Sequence, residues 1–252
     1  MQERINHFFD FNIAPEVYSS LIVISLLIIL CLVIFILAKC ADPLKRPKGL
    51  LLLVEWAVEK LDGFVDETMG PAFAGFGGYF LAIASYLFLS FVFGLTGFPS
   101  PITYIACPLS LSIIMFSLIH ITSIRYTKWR YFKRYVEPIA IFLPINLLSM
   151  WAPLLSTCLR LFGNALAGWV LMTLIYWSLG NLSSALFASA GAASGIFVAP
   201  FITPILHCYF DLFSGAIQTL VFCYLSALFI AQEKPEDEDL SNAQINTQKV
   251  SL

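Results

Sequence analysis

The chain is short of charge, and it carries no signature for nucleotide or metal binding. Only 12% of its 252 residues are Asp, Glu, Lys or Arg, well below the quarter usual in soluble domains. With 59% hydrophobic residues and a mean hydropathy of +0.84, an ordinary soluble fold is excluded and a membrane protein is indicated. No Gly-x-x-x-x-Gly-Lys-Ser/Thr occurs, so the chain has no nucleotide loop of its own. The cysteines are Cys31, Cys40, Cys107, Cys158, Cys208 and Cys223, with no Cys-x-x-Cys pair. Five of them sit in apolar runs and read as small buried hydrophobes, not disulfides or metal ligands. No metal, cofactor or nucleic-acid partner is expected, there is no haem-type His pair, and no internal repeat is evident. The net charge of −2 points to no particular partner.

What remains is a succession of apolar segments. Residues 1–16 mix Phe8, Phe9 and Phe11 with charges and read as an interfacial lead-in. The first apolar run, Val17 to Ala38, is long enough to span a bilayer. It follows no basic region and is too long for a cleaved signal peptide. A loop with Lys39, Lys45, Arg46 and Lys48 comes next. Leu50 to Met69 sets Leu53, Trp56, Ala57, Lys60, Leu61 and Phe64 at helical spacing, with Glu55, Glu59, Asp62 and Asp66 on another side. That pattern predicts an amphipathic helix on the membrane surface, its acids a solvated face. A Gly/Pro/Ala-rich break over 70–78 precedes apolar segments Tyr79 to Leu95 and Ile102 to Ser123. The second of these ends beside His120 and a basic cluster of Arg125, Lys128, Arg130, Lys133 and Arg134. His120 there reads as an interfacial residue, and Tyr126, Trp129, Tyr131 and Tyr135 mark the water–lipid boundary.

The second half opens with Glu137-Pro138 and the block 139–151. A helix over Leu154 to Trp177 is then predicted, broken at Gly180-Asn181, followed by an Ala/Ser/Gly-rich stretch over 183–195. A last helix is predicted from Pro204 to Gln232. Both helices exceed the roughly 30 Å hydrocarbon thickness, so they should be tilted or bent. Residues 233–252 are polar and read as a tail outside the membrane. Counting Lys and Arg loop by loop puts the 39–48 and 125–134 loops inside. That leaves the N-terminus outside, the C-terminus inside, and five passes plus one surface helix.

Two polar groups stand out inside these apolar helices. Arg160 is the only charge between Pro153 and Trp177. A guanidinium cannot shed its proton and costs about 2.5–3.5 kcal/mol at a membrane-helix centre. Apolar residues flank it on both sides, so snorkelling from a helix end explains it poorly. Ser156, Arg160 and Asn164 are spaced four apart and share a face. Gly163 with Ala167, and Asn164 with Gly168, leave a shallow groove for a neighbouring helix. On the last helix, His207, Asp211, Ser214, Gly215 and Gln218 also fall on one face. Asp211 is the only carboxylate between Glu137 and Glu233, and an acid there is a proton-handling candidate by default.

The run Leu159-Arg160-Leu161-Phe162-Gly163-Asn164, with Ala167-Gly168 beyond, closely resembles the signature of subunit a of rotary ATP synthases. Asp211-Leu-Phe-Ser-Gly-Ala-Ile-Gln218 resembles that family's final helix, where a Gln faces the essential Arg and an acid or His stands seven residues earlier. The resemblance is strong over residues 137–232 and rests on topology over 17–123. It implies an all-α polytopic membrane protein with a separate N-terminal transmembrane helix, a surface amphipathic helix, and a bundle ending in a long, strongly tilted helical hairpin. Three parts follow: 1–48 with the first span and basic loop, 49–232 as the proton-channel domain, and 233–252 as a polar tail. It further implies a non-catalytic stator subunit of the Fo sector, forming two proton half-channels against a c-ring, with peripheral-stalk and other Fo subunits as partners in the bilayer. The site residues it implies are Arg160, Asp211, Gln218, Asn164, His207 and Ser156. Nine residues after the Arg, where the family usually has Glu or His, this chain has Trp169. The inlet must then be wired differently, through Asp211, His207 and water. An acid on the last helix is the mitochondrial pattern, which implies the mitochondrial inner membrane, with a bacterial plasma membrane or thylakoid as alternatives. A secondary transporter or a core subunit of another respiratory complex would also fit broken helices, but no matched pair of interrupted segments occurs in two halves. A purely structural scaffold leaves Arg160 and Asp211 unexplained.

Overall fold

A computed structural model describes residues 15–40, 49–128, 143–186 and 198–233. Every regular element among them is helical. The lead-in, most of the 39–48 loop, the basic stretch after Lys128, the Ala/Ser/Gly-rich stretch after Leu186 and the tail lie outside the described residues. In order, the helices are α1 (Pro15–Cys40), α2 (Leu50–Met69), α3 (Gly77–Val92), α4 (Ala106–Thr127), α5 (Leu143–Leu186), α6 (Ala199–His207) and α7 (Ser214–Ala231). Short 3-10 turns at Pro71–Phe76, Phe93–Thr96 and Pro101–Thr103 link α2, α3 and α4, and a π-turn at Cys208–Phe213 joins α6 to α7. Five of the resulting spans are long and apolar enough to cross a membrane, with α6, the π-turn and α7 counting as one.

α1 opens on Pro15, whose missing N–H costs nothing at a helix start. Lys39 sits in its last turn over the Phe35 ring at 5.7 Å. Val23 and Ser19 are its buried residues, so nearly all of its apolar surface is left for lipid. One polar tie anchors it: Ser20 Oγ lies 2.9 Å from Tyr86 Oη of α3, which lies 2.8 Å from Cys107 Sγ of α4. α2 is amphipathic as expected, but its packing differs from the sequence pattern. Leu53 and Trp56 are exposed, while Val65 and Met69, beyond the predicted stripe, are buried with Leu61 and Phe64 packed alongside. The physical reason is that only the C-terminal half of α2 reaches α3 and α7. In the N-terminal half Leu51, Val54 and Ala57 are half-buried, whereas Leu52, Leu53 and Trp56 stay exposed.

The core gathers Val65, Phe80, Leu87, Met115, Leu161, Phe222, Ala227 and Ile230 from α2, α3, α4, α5 and α7. In lipid, helix association relies on close packing more than on removal of apolar surface from water. Small residues therefore matter at the contacts. A Cβ on Gly215 of α7 would lie 2.5 Å from the Phe91 Cβ of α3, and one on Gly77 would strike the Asp62 carboxylate. Ser90, Ser112 and Ser226 are likewise fully buried. Gly97 closes the turn after α3 at φ 83°, a left-handed conformation that disfavours any Cβ.

The long helices run further than the sequence pattern indicates. α5 has 44 residues, about 66 Å at 1.5 Å per residue. The break expected at Gly180-Asn181 does not occur: α5 passes through both to Leu186. A lone Gly costs only about 1 kcal/mol in a helix, and Leu182, Ser183, Ser184 and Ala185 behind it are compatible with helix. The turn expected at 178–183 is therefore helix, and the residues after Leu186 lie outside the described ones. Pro153 is also inside α5. The last helix starts at Ala199, before Pro204, so α6 to α7 spans about 50 Å. Not all six cysteines are buried: Cys158 and Cys223 are, Cys107 is half-buried, and Cys31, Cys40 and Cys208 are exposed on apolar helices.

Candidate functional site

α5 and the α6–α7 unit run antiparallel, and two contacts set their register. Asn164 Nδ2 donates to Ser214 Oγ at 3.1 Å, and that hydroxyl in turn lies 3.2 Å from Asn164 Oδ1. One turn further along α5, Gly168 meets the π-turn, where a Cβ would sit 3.9 Å from Phe210 Cβ. Stepping one turn the other way from Asn164–Ser214 sets Arg160 level with Gln218. Gln218 is buried, at 6% exposure, on the side of α7 that enters the core. Arg160 is exposed and lines an open groove with Phe64 of α2 and Leu220, Val221, Tyr224 and Leu225 of α7. No acidic side chain pairs with it among the described residues. Of the predicted small-residue pairs, Gly168 receives the α6–α7 unit. Gly163 is exposed, with nothing within 4 Å of where its Cβ would stand.

The second cluster lies next to this register. His207 Nδ1 is 2.6 Å from Asp211 Oδ2, and His207 Nε2 is 2.9 Å from Tyr176 Oη of α5. With Asp211 ionised, the imidazole donates from Nδ1 and accepts the Tyr176 O–H at Nε2. A proton arriving at one ring nitrogen can then leave from the other. The three groups thus form a wire from α5 through α6 to the π-turn. His207 and Asp211 are 27% and 24% exposed, and they open into a cavity of about 440 Å³. Asn164, Trp169, Tyr176, Ser100 and Thr103 line it too. The far wall is the turn after α3: the Asp211 carboxyl lies 3.3 Å from where a Gly94 Cβ would be. A side chain at position 94 would press on the acid.

The π-turn brackets this acid. Its closing bond runs from Ser214 N–H to Tyr209 O, five residues back, one residue wider than an α-turn. Pro204 upstream can donate no backbone bond, and Thr203 Oγ1 bonds the Ala199 carbonyl at 2.9 Å. The wide turn keeps Asp211 facing the turn after α3 while Ser214 faces Asn164 and Gly215 seats on Phe91.

The structure therefore brings together His207, Asp211, Asn164 and Trp169 around one cavity, and it sets Arg160 and Gln218 at one level just beyond. Ser156 is exposed one turn before Arg160, outside the cavity. Sequence reading missed Tyr176 and Gly94. Tyr176 carried a weak signal, a hydroxyl in an apolar helix near Trp169 and Thr173. Gly94 carried none, because its role depends on where the Asp211 carboxyl lands. No group of three metal-ligating side chains is present among the described residues.

Residues 20–231 match the family model described as ATP synthase A chain. Curated relatives agree. The ATP synthase subunit a of Mycoplasma genitalium is 32% identical over 241 residues, covering 87% of this chain and 80% of that protein. That of Oceanobacillus iheyensis is 28% identical, covering 83% and 88%. That of Enterococcus faecalis is 26% identical, covering 90% and 97%. These relatives are bacterial, so the mitochondrial placement expected from the acid on the last helix is not borne out.

Proposed function

The chain belongs to the ATP synthase A chain family, and from that membership we propose a proton path of named residues through it. As subunit a it is a multi-pass membrane protein of the Fo sector that serves the stator side of proton translocation, working with the rest of that complex. The secondary-transporter reading is not favoured. The finer reading is that a c-ring turns against the exposed faces of α5 and α7, with peripheral-stalk subunits holding the chain still.

Arg160 carries the central role. In its groove an arriving rotor carboxyl meets a fixed positive charge that favours the ionised form, so it gives up its proton before passing. The same charge repels protons that would leak across. Gln218, level with it and buried, steadies the opposing helix. The Asn164–Ser214 pair locks the register that keeps the two in line, and Ser156 sits on the same exposed face. The cavity at Asp211 is the inlet: Tyr176, His207 and Asp211 relay protons toward the rotor, replacing the acid or His that Trp169 displaces. The basic residues favour an orientation. Lys39, Arg125 and Lys128 lie at one end, whereas Leu95 to Tyr104, at the inlet end, holds no Lys or Arg. The positive-inside rule then puts the inlet outside and the C-terminal end of α7 inside.

The observation that carries the reading is the hydrogen-bonded Tyr176–His207–Asp211 wire opening into a cavity one helical turn from the Arg160 level. Its test is Asp211→Asn in the assembled synthase, where proton flux should fall at least tenfold with the complex intact. Wild-type flux across a range of pH would remove Asp211 from the path.

A further inference from the structure

A cleft of about 400 Å³ lies between α1, α3 and α4, apart from both the Arg160 groove and the Asp211 cavity. That volume falls within the roughly 300–1,000 Å³ of small-molecule sites. Its lining changes character with depth. On α1, Glu16, Ser20 and Ile24 line it, and their four-residue spacing puts them on one face. A carboxylate, a hydroxyl and an aliphatic side chain thus follow one another over about 12 Å of helix. Tyr86 of α3 closes the middle, its hydroxyl 2.9 Å from Ser20 Oγ and 2.8 Å from Cys107 Sγ. That tie sets the starts of α1 and α4 side by side. Tyr104, just ahead of α4, therefore lines the mouth with Glu16, and the buried Leu111 of α4 lines the deeper part with Ile24.

The two ends make different demands on an occupant. Glu16 is the one carboxylate in the lining, and no Lys or Arg lines the cleft. It is half-buried, and no cation pairs with it among the described residues. A half-buried carboxylate is costly to leave unpaired. The Tyr104 and Tyr86 rings add aromatic surface, which attracts an ammonium and not an anion. The deep end offers Ile24 and Leu111, with nothing charged. A purely anionic head group is repelled at the mouth, and a small hydrophilic cation leaves the deep end unfilled.

We propose that this cleft binds an amphiphilic ammonium, its cationic head at Glu16 and the tyrosine rings and its alkyl chain laid between α1 and α4 toward Ile24 and Leu111. Binding is non-covalent. Two sources carry this chemistry: the amine head of a phospholipid and a free long-chain amine. The site is independent of the proton path, since it includes neither Arg160 nor the Tyr176–His207–Asp211 wire.

Photolabelling of the assembled synthase in phosphatidylglycerol vesicles tests it. The probe is dodecyltrimethylammonium with a diazirine near the end of its chain, and labelled segments are mapped by peptide mass spectrometry. Labelling is expected on the segments holding Ile24 and Leu111, and unmodified dodecyltrimethylammonium should saturate it. Glu16→Gln should cut the saturable labelling at least fivefold, whereas Glu16→Asp keeps most of it. Ile24→Trp, which fills the deep end and leaves the charge, should also lower it at least fivefold. Holoenzyme yield and ATP-driven proton pumping report that each variant assembles. Dodecanol carrying the same diazirine should label these segments at least fivefold less. Phosphatidylethanolamine added to the vesicles distinguishes the sources. Competition by it supports the site and makes the occupant a lipid head group; displacement by the free amine alone supports the site with a soluble occupant. Absence of label on these segments, equal labelling of the wild type and both Glu16→Gln and Ile24→Trp, or equal labelling by the neutral probe would overturn the assignment.

Discussion

At the residue scale, the proposed path puts Arg160 and Asp211 to opposite uses of an ionisable group in an apolar helix. Arg160 must stay charged, so its replacement by Lys tests charge permanence and fork geometry together. Arg160→Lys should assemble normally and lose proton pumping, read by quenching of a pH-sensitive dye in vesicles. Pumping at the normal rate would refute the role. Asp211 must instead be free to change state, and its surroundings are tight. Gly94→Ala places a methyl 3.3 Å from its carboxyl, so the acid has to shift by a few tenths of an ångström against the 2.6 Å His207 bond. A several-fold fall in flux is expected, with Gly78→Ala, where no atom lies within 4 Å, as the unaffected control. Arg160, Asp211, His207 and Gln218 could be picked out of the sequence as candidates because a polar group in an apolar run has few explanations. Gly94 and Tyr176 could not, because a glycine beside a carboxyl and a hydroxyl beside an imidazole are facts of tertiary register.

At the element scale, the antiparallel pairing of α5 with α6–α7 is the organising contact, and it was only half readable. Spacing placed each polar set on one face, but not the offset between faces. Nor did it reveal that α5 continues through Gly180-Asn181, since helix propensity at one Gly and one Asn is outweighed by the helix-compatible residues on either side. The offset makes a sharp prediction. A Gly168→Cys, Phe210→Cys pair has its Cβ atoms about 3.9 Å apart, inside the range a disulfide needs, and should cross-link on mild oxidation in membranes. A slip of one turn would leave it open, detectable as an unshifted band on non-reducing gels. The π-turn makes another. Deleting Leu212 removes the extra residue and restores an α-turn. With α7 held by the core, α6 would rotate by about 100°, carrying His207 away from Tyr176. Flux should be lost while assembly persists, and retention of flux would show that the wide turn is dispensable.

At the scale of the whole molecule, two cavities are offset along α5: one of about 440 Å³ meets it from Asn164 onward, and one of about 260 Å³ meets it no further than Pro153, with Leu154 and Leu161 buried between. The eleven residues from Pro153 to Asn164 amount to about 16 Å along the α5 axis, and to less along the membrane normal, because a helix this long must tilt to fit the bilayer. Water in a cavity is a conductor compared with the packed wall, so the membrane potential falls mainly across the wall. With both cavities filled with water, the electric field at Arg160 is therefore stronger than it would be in an evenly filled bilayer. A charge moving through 100 mV still releases about 2.3 kcal/mol, but releases it within one short step rather than over the full crossing. On the proposed path, voltage then acts on the passage at Arg160 and hardly at all on entry past Tyr176, where a pH difference acts instead.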